Sequence, residues 1–160
     1  MSGERILIVD DNLMNLKLVR VLLAAEGYQV STATNAEEAL LALRAGKPVY
    51  LIGAFGGCAE AVIEALRGNK PAAFTLDYQV AETVSRAAIE LYNSQLAPNG
   101  EPIDYKALTA EFEGFGIAGL NNGLDAAENE RLLTTMNLPE MIALVLRGVS
   151  RLSKPPVLAR

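Results

Sequence analysis

The chain contains no histidine. That removes the commonest general base and the commonest zinc ligand. A single cysteine, Cys58, stands alone in 160 residues, so no internal disulfide can form. One cysteine without histidine also leaves no ligand set for a structural zinc ion, and a reducing compartment suits such a chain. No apolar run approaches the roughly 20 residues that span a bilayer. The polar opening Met1–Arg5 leads straight into an apolar run and does not read as a leader. Basic residues number 14 against 19 acidic ones, for a net charge of −5. An acidic chain without a basic stripe is a poor match for a phosphate backbone, which argues against nucleic acid as a partner. The expectation is a cytoplasmic protein with no membrane association, as a monomer or homodimer. Its length suits one domain with one core and is short for two.

What is present is a run of strand and helix signals. Ile6-Leu7-Ile8-Val9 is uninterrupted and apolar and stops at Asp10-Asp11, as a buried parallel strand does. Leu16, Val19 and Leu23 then recur at helical spacing up to Gly27. Tyr28–Thr32 reads as a second strand. Asn35 with Glu38 opens a second helix that Gly46 closes. Val49–Ile52 is a third strand and is followed by the loop Gly53-Ala54-Phe55-Gly56-Gly57. Ala59, Val62, Ile63 and Leu66 line one face of the next helix. Ala72–Leu76 reads as a fourth strand and Val80–Gln95 as a helix with Val84, Ala88 and Leu91 inward. Further helices are expected to open at Asp104, at Asp125 with Glu128, and at Asn137 with Glu140; Ile117–Leu120 is a candidate fifth strand. This alternation predicts a single three-layer, doubly wound α/β domain, flavodoxin-like or Rossmann-like. Its mostly parallel sheet would hold four or five strands, in the order 2-1-3-4-(5).

Two stretches resemble known families. Arg5–Asn12, Asn15-Leu16, Glu26-Gly27-Tyr28 and Ala33–Leu40 closely resemble the opening of a response-regulator receiver domain, over about residues 4–48. The resemblance implies a Mg²⁺ site at Asp10 and Asp11, because paired carboxylates at the carboxyl edge of a parallel sheet offer hard oxygen ligands. It then breaks down. Gly53 or Ala54 stands where a receiver has its phosphoacceptor aspartate, so the chain is expected to be incompetent for phosphorylation. Lys70-Pro71 precedes the next apolar run instead of following it, so the receiver's later lysine has no counterpart either. A plainer role for Asp10 and Asp11 is capping the helix that follows.

Residues 48–152 resemble the C-terminal part of SLOG-type Rossmann-like domains, the superfamily around the LOG nucleotide hydrolases. The residues that carry this are Pro48–Gly57, Ala61–Gly68, Gly119–Leu124, Glu128–Leu132 and Ile142–Gly148. The resemblance implies a nucleotide-derived ligand. The hydrolases' Pro-Gly-Gly-x-Gly-Thr-x-x-Glu loop is not matched: no threonine follows Gly57, and Glu60 falls early. Two families meeting at Lys47-Pro48 inside one sheet suggest a hybrid of segments 1–48 and 49–152, with a tail at 153–160. The simplest form of such a hybrid is an engineered chimera.

The binding candidates follow from these stretches. Gly53, Ala54, Phe55, Gly56 and Gly57 form a strand-to-helix loop of the kind that lets backbone approach a phosphate at a helix N-terminus. Glycines are equally needed wherever a strand turns tightly into a helix. Asp77, with Tyr78, would stand at the same sheet edge. Cys58 at a helix start has no histidine to act as its base, so it reads as structural. Tyr105, Phe112, Phe115, Met136 and Met141 read as core or interface. Asp104, Glu111 and Glu113 read as a solvated face. The functional expectation is a non-enzymatic hybrid scaffold that needs no cofactor, with Mg²⁺, a phosphate or sulfate ion, or a small nucleotide as the ligands to consider. A natural sensor of a nucleotide-derived ligand is the first alternative. A nucleotide hydrolase using an acid such as Asp11, Asp77 or Glu60 is the second.

Overall fold

Burial on both faces is what the uninterrupted apolar runs demand, and a central sheet meets that demand. In the computed structural model, which describes residues 5–10, 12–82, 86–95 and 102–152, the runs become three parallel strands. These are β1 (Arg5–Val9), β2 (Gln29–Ala33) and β3 (Val49–Leu51), in the order β2-β1-β3. Leu7 lies opposite Val49 and Val9 opposite Leu51, so β1 and β3 are neighbours.

Strand side chains alternate between faces. Leu7, Val9, Val49 and Leu51 join one core, and Ile6, Ile8, Tyr50 and Ile52 join the other. The first core is completed by Leu40 and Leu43 of α2 (Ala36–Arg44), Val62 and Leu66 of α3 (Gly57–Leu66), and Phe112 of α6 (Tyr105–Phe115). The second is completed by Leu16, Val19 and Leu23 of α1 (Leu13–Ala25) and by Met141, Val145 and Val149 of α8 (Leu138–Leu152). Between them in sequence, α7 (Ala126–Thr134) gives Leu132 to the second core and Leu133 to the first. Two helices, α4 (Leu76–Glu82) and α5 (Arg86–Gln95), complete the set.

Most helix starts are where local chemistry puts them. Asn12, Asn35, Asp104 and Asp125 each accept hydrogen bonds from the first free N–H groups of the helices that follow, and Asp125 forms a reciprocal capping box with Glu128. Each such cap is worth about 1 kcal/mol. Asn137 caps α8 by accepting from the Glu140 N–H at 3.1 Å.

The strand count is corrected. Among the described residues the sheet has three strands, not four or five. Ala72–Phe74 is a 3-10 turn. Pro71 starts it at φ −63° and the Thr75 hydroxyl donates to the Ala72 carbonyl at 2.7 Å. Phe74 is the one large side chain before Leu76 in that run, and it stacks on Phe112 with ring centres 5.7 Å apart. Ile117–Leu120 is also a 3-10 turn, entered at Gly116 and left through Asn121 in the left-handed region.

The expected helix over 80–95 is represented by α4 and α5, with 83–85, and therefore Val84, outside the described residues. Within α5 the buried residue is Ile89, while Ala88 is exposed and Leu91 is 55% exposed, so the inward face was misread. Met136 is exposed as well, not core. Phe112 and Met141 are fully buried. Among the described residues no helix is long and apolar enough to cross a membrane.

Candidate functional site

Parallel strands bring their carboxyl ends to one edge, and the candidate residues gather there. At the end of β1, Asp10 is fully buried. Its Oδ1 accepts from the Asn12 N–H at 2.9 Å and its Oδ2 from the Asn15 side-chain amide at 3.1 Å. Both carboxylate oxygens therefore serve the start of α1, where a negative charge meets the positive end of the helix. Asp11 lies outside the described residues. Among the described residues no group of three acids or cysteines is placed to hold a metal ion.

The loop after β3 is a tight turn closed by the Gly56 N–H donating to the Gly53 carbonyl at 3.0 Å. Two of its glycines have different physical reasons. Gly56 sits at φ 81°, ψ −149°, a region closed to side chains with a Cβ. Gly53 is required by packing, because a Cβ there would lie 2.3 Å from Ile63 Cδ1 and 3.1 Å from the Leu133 carbonyl. Phe55 projects at the tip, 40% exposed. Gly57 begins α3 and also has positive φ. The half-buried Cys58 packs against the first core. Glu60 lies in the first turn of α3, and its carboxylate folds back over the loop: a Cβ on Gly56 would stand 3.4 Å from Glu60 Oε2.

Beside this loop a cleft of about 1540 Å³ opens between α2, α3, the 71–79 segment and α6. It starts at Thr34-Asn35, just beyond β2, and at Gly57-Cys58, and runs past Phe74 and Tyr78 to Asp104-Tyr105 and Glu111. Of the loop candidates it includes Gly57 only; Gly53, Ala54, Phe55 and Gly56 lie off its wall. Asp77 is not in the wall either. It stands in the first turn of α4 and pairs with Arg86 at 2.5 Å. Its neighbour Tyr78 does line the cleft.

The cleft wall is acidic. Among the described residues Arg44 is the one cation lining it, and it is held by Glu111 through two bonds of 2.6 and 2.8 Å. That contact keeps the Glu111 carboxyl below its usual range. Glu111 is thus a partner of α2 and not simply part of a solvated face. Glu64, also in the wall, is held low first by the Asn69 amide at 2.6 Å and then by Arg67 at 3.0 Å. Glu37 and Glu60 have no ion pair among the described residues. Sequence reading missed the Arg44–Glu111 contact, which joins residues 67 apart in the chain and leaves no local signal.

A family model described as SLOG cluster2 matches residues 10–132. The chain belongs to the SLOG cluster2 family. The match includes β2, β3, the glycine loop and the whole cleft wall, and it spans Lys47-Pro48. No curated protein and no solved structure matches the chain.

Proposed function

We propose that this protein is a non-enzymatic binding module for a small nucleotide-derived ligand, held in the cleft between α2, α3 and α6. The observation that carries this reading is the cleft's position. It opens where β2 ends and α3 begins, at the sheet edge where Rossmann-type folds receive their ligands, within the stretch that matches the family. Its volume admits a nucleoside-sized molecule, and Tyr78, Tyr92 and Tyr105 offer aromatic surface for a base.

One family description extends from Asp10 through Lys47-Pro48 to residue 132, and the binding reading treats that stretch as one unit. Most of the acids near this edge have structural partners, Glu37 and Glu60 excepted. Asp10 is committed to its helix, Asp77 to Arg86, Glu64 to Arg67 and Asn69, and Glu111 to Arg44.

The test is calorimetry of the full chain against nucleosides, nucleotides and dinucleotides, with chromatography of each mixture after prolonged incubation. Saturable binding of at least one compound without breakdown is the expected result. Release of free base or phosphate would replace a sensor with a hydrolase.

A further inference from the structure

The charge around the cleft narrows the ligand class. This step rests on the binding reading above. Among the described residues the wall carries Glu37, Glu60, Glu64, Asp104 and Glu111 against the one cation Arg44. Arg44 is neutralised by Glu111 in a two-point contact, so it has little left to offer a phosphate. Among the described residues no lysine lines the cleft.

A Rossmann-type site without cations usually draws phosphate to helix N-termini. Here the N-terminal ends that open onto the cleft already face carboxylates. Glu37 and Glu38 occupy the first turn of α2, and Glu60 the first turn of α3. Asp104 accepts from the Lys106 and Ala107 N–H groups at the start of α6. Acidic groups at these positions offset the positive ends that would otherwise attract an anion. Glu60 leans back toward Gly56, at the end of the cleft where Gly57 and Cys58 begin α3. A carboxylate there repels phosphate and accepts hydrogen bonds from hydroxyls or amines.

We propose that the cleft selects an unphosphorylated nucleoside, with its sugar hydroxyls donating to Glu60 and its base lying against the tyrosine side of the cleft at Tyr78. Base stacking on an aromatic ring is indifferent to phosphate. Each phosphate added to the sugar brings negative charge toward unpaired carboxylates. It weakens binding on the order of tenfold, the scale of like charges several ångströms apart near a protein surface.

The experiment is calorimetry on the full chain with adenosine, AMP, ADP and ATP, and with guanosine and its phosphates. Each series is run once in EDTA and once in Mg²⁺. The expected order is nucleoside tightest and triphosphate weakest in both buffers. Glu60→Gln, on the exposed face of the first turn of α3, is expected to weaken the nucleoside and to shrink the gap to the triphosphate several-fold while the melting temperature stays near that of the parent. A phosphorylated form that binds tighter than its nucleoside in either buffer would overturn this inference and leave the binding reading standing. Silence from every compound would overturn both. An unchanged gap in Glu60→Gln would remove Glu60 from the proposed role and overturn the assignment of the hydroxyl contact.

Discussion

The side-chain amide of Asn122 donates to the backbone carbonyl of Val49 at 3.0 Å, on the open edge of the sheet. The neighbouring backbone bonds show why that edge is open. The Pro48 carbonyl and the Ile52 N–H both serve β1, so Val49, of intermediate register, faces outward. A fourth strand would pair there. Instead a buried asparagine supplies the bond. The same Asn122 side chain donates to Asn129 Oδ1 at 2.8 Å and accepts from the Leu124 N–H at 3.1 Å, and its backbone carbonyl accepts from the Tyr50 hydroxyl at 2.7 Å. This small polar network covers the edge that a three-stranded sheet leaves exposed.

Removal of that side chain is expected to be costly. Asn122→Ala leaves the Val49 carbonyl, the Leu124 N–H and part of Asn129 without partners in a buried setting. Loss of about 2–3 kcal/mol is predicted, on the usual cost of buried groups left unpaired. Urea denaturation followed by far-ultraviolet circular dichroism measures it. A change below about 0.5 kcal/mol would mean that the network does not close the edge.

Gly53 is the second point of tight packing, between β3, α3 and α7. Gly53→Ala places a methyl group against Ile63 Cδ1 and close to the Leu133 carbonyl. The predicted loss is about 1–3 kcal/mol. Because the nearest obstacle is the tip of a flexible side chain, Gly53→Ala combined with Ile63→Val is expected to recover part of it. The two substitutions should therefore be non-additive in a double-mutant cycle. Additive losses would indicate that the backbone carbonyl of Leu133 is the true obstacle.

A third prediction concerns acid stability. Glu128 joins the start of α7 to the end of α8. It accepts from Arg151 at 2.5 and 3.0 Å, from the Asp125 N–H at 3.0 Å and from Arg147 at 3.0 Å. The Arg151 contact, followed by the backbone bond from Asp125 and the Arg147 bond, holds its carboxyl at about 2 against an ordinary 4.5. A carboxyl depressed in the folded state contributes stability that is complete above its ordinary value and fades as pH falls through the folded one. Glu128→Gln is therefore expected to be less stable than the parent at pH 7, with the difference closing between pH 4.5 and 2. Guanidinium midpoints measured across that range decide it; a difference that persists at pH 2 would point to packing in place of charge.

The local parts of this fold are readable in the chain. Ile6–Val9 is apolar throughout because both of its faces are covered, and Asn35, Asp104 and Asp125 announce helices by the hydrogen bonds their short side chains make with the next turn. What was not readable depends on partners distant in sequence. Ala72–Leu76 has the composition of a short strand, yet Phe74 finds Phe112 across 38 residues and the segment turns instead. In α5 the choice of Leu91 over Ile89 as the inward residue could not be made from spacing alone, because a one-sided helix of ten residues offers several apolar registers. The glycine loop was found by its pattern. The cleft beside it was not, because its walls come from α2, α3, the 71–79 segment and α6, and no local motif links them.

The account stands or falls on whether the acidic cleft is where a ligand sits. Ala107, exposed on α6, lines that cleft away from both cores. Calorimetric titration of the tightest-binding nucleoside into the parent and into Ala107→Trp tests the site directly. The account predicts saturable binding by the parent and loss of binding, by at least tenfold, in the variant, with unfolding temperatures alike. Equal affinity in the two proteins would contradict it and place the ligand elsewhere on the molecule.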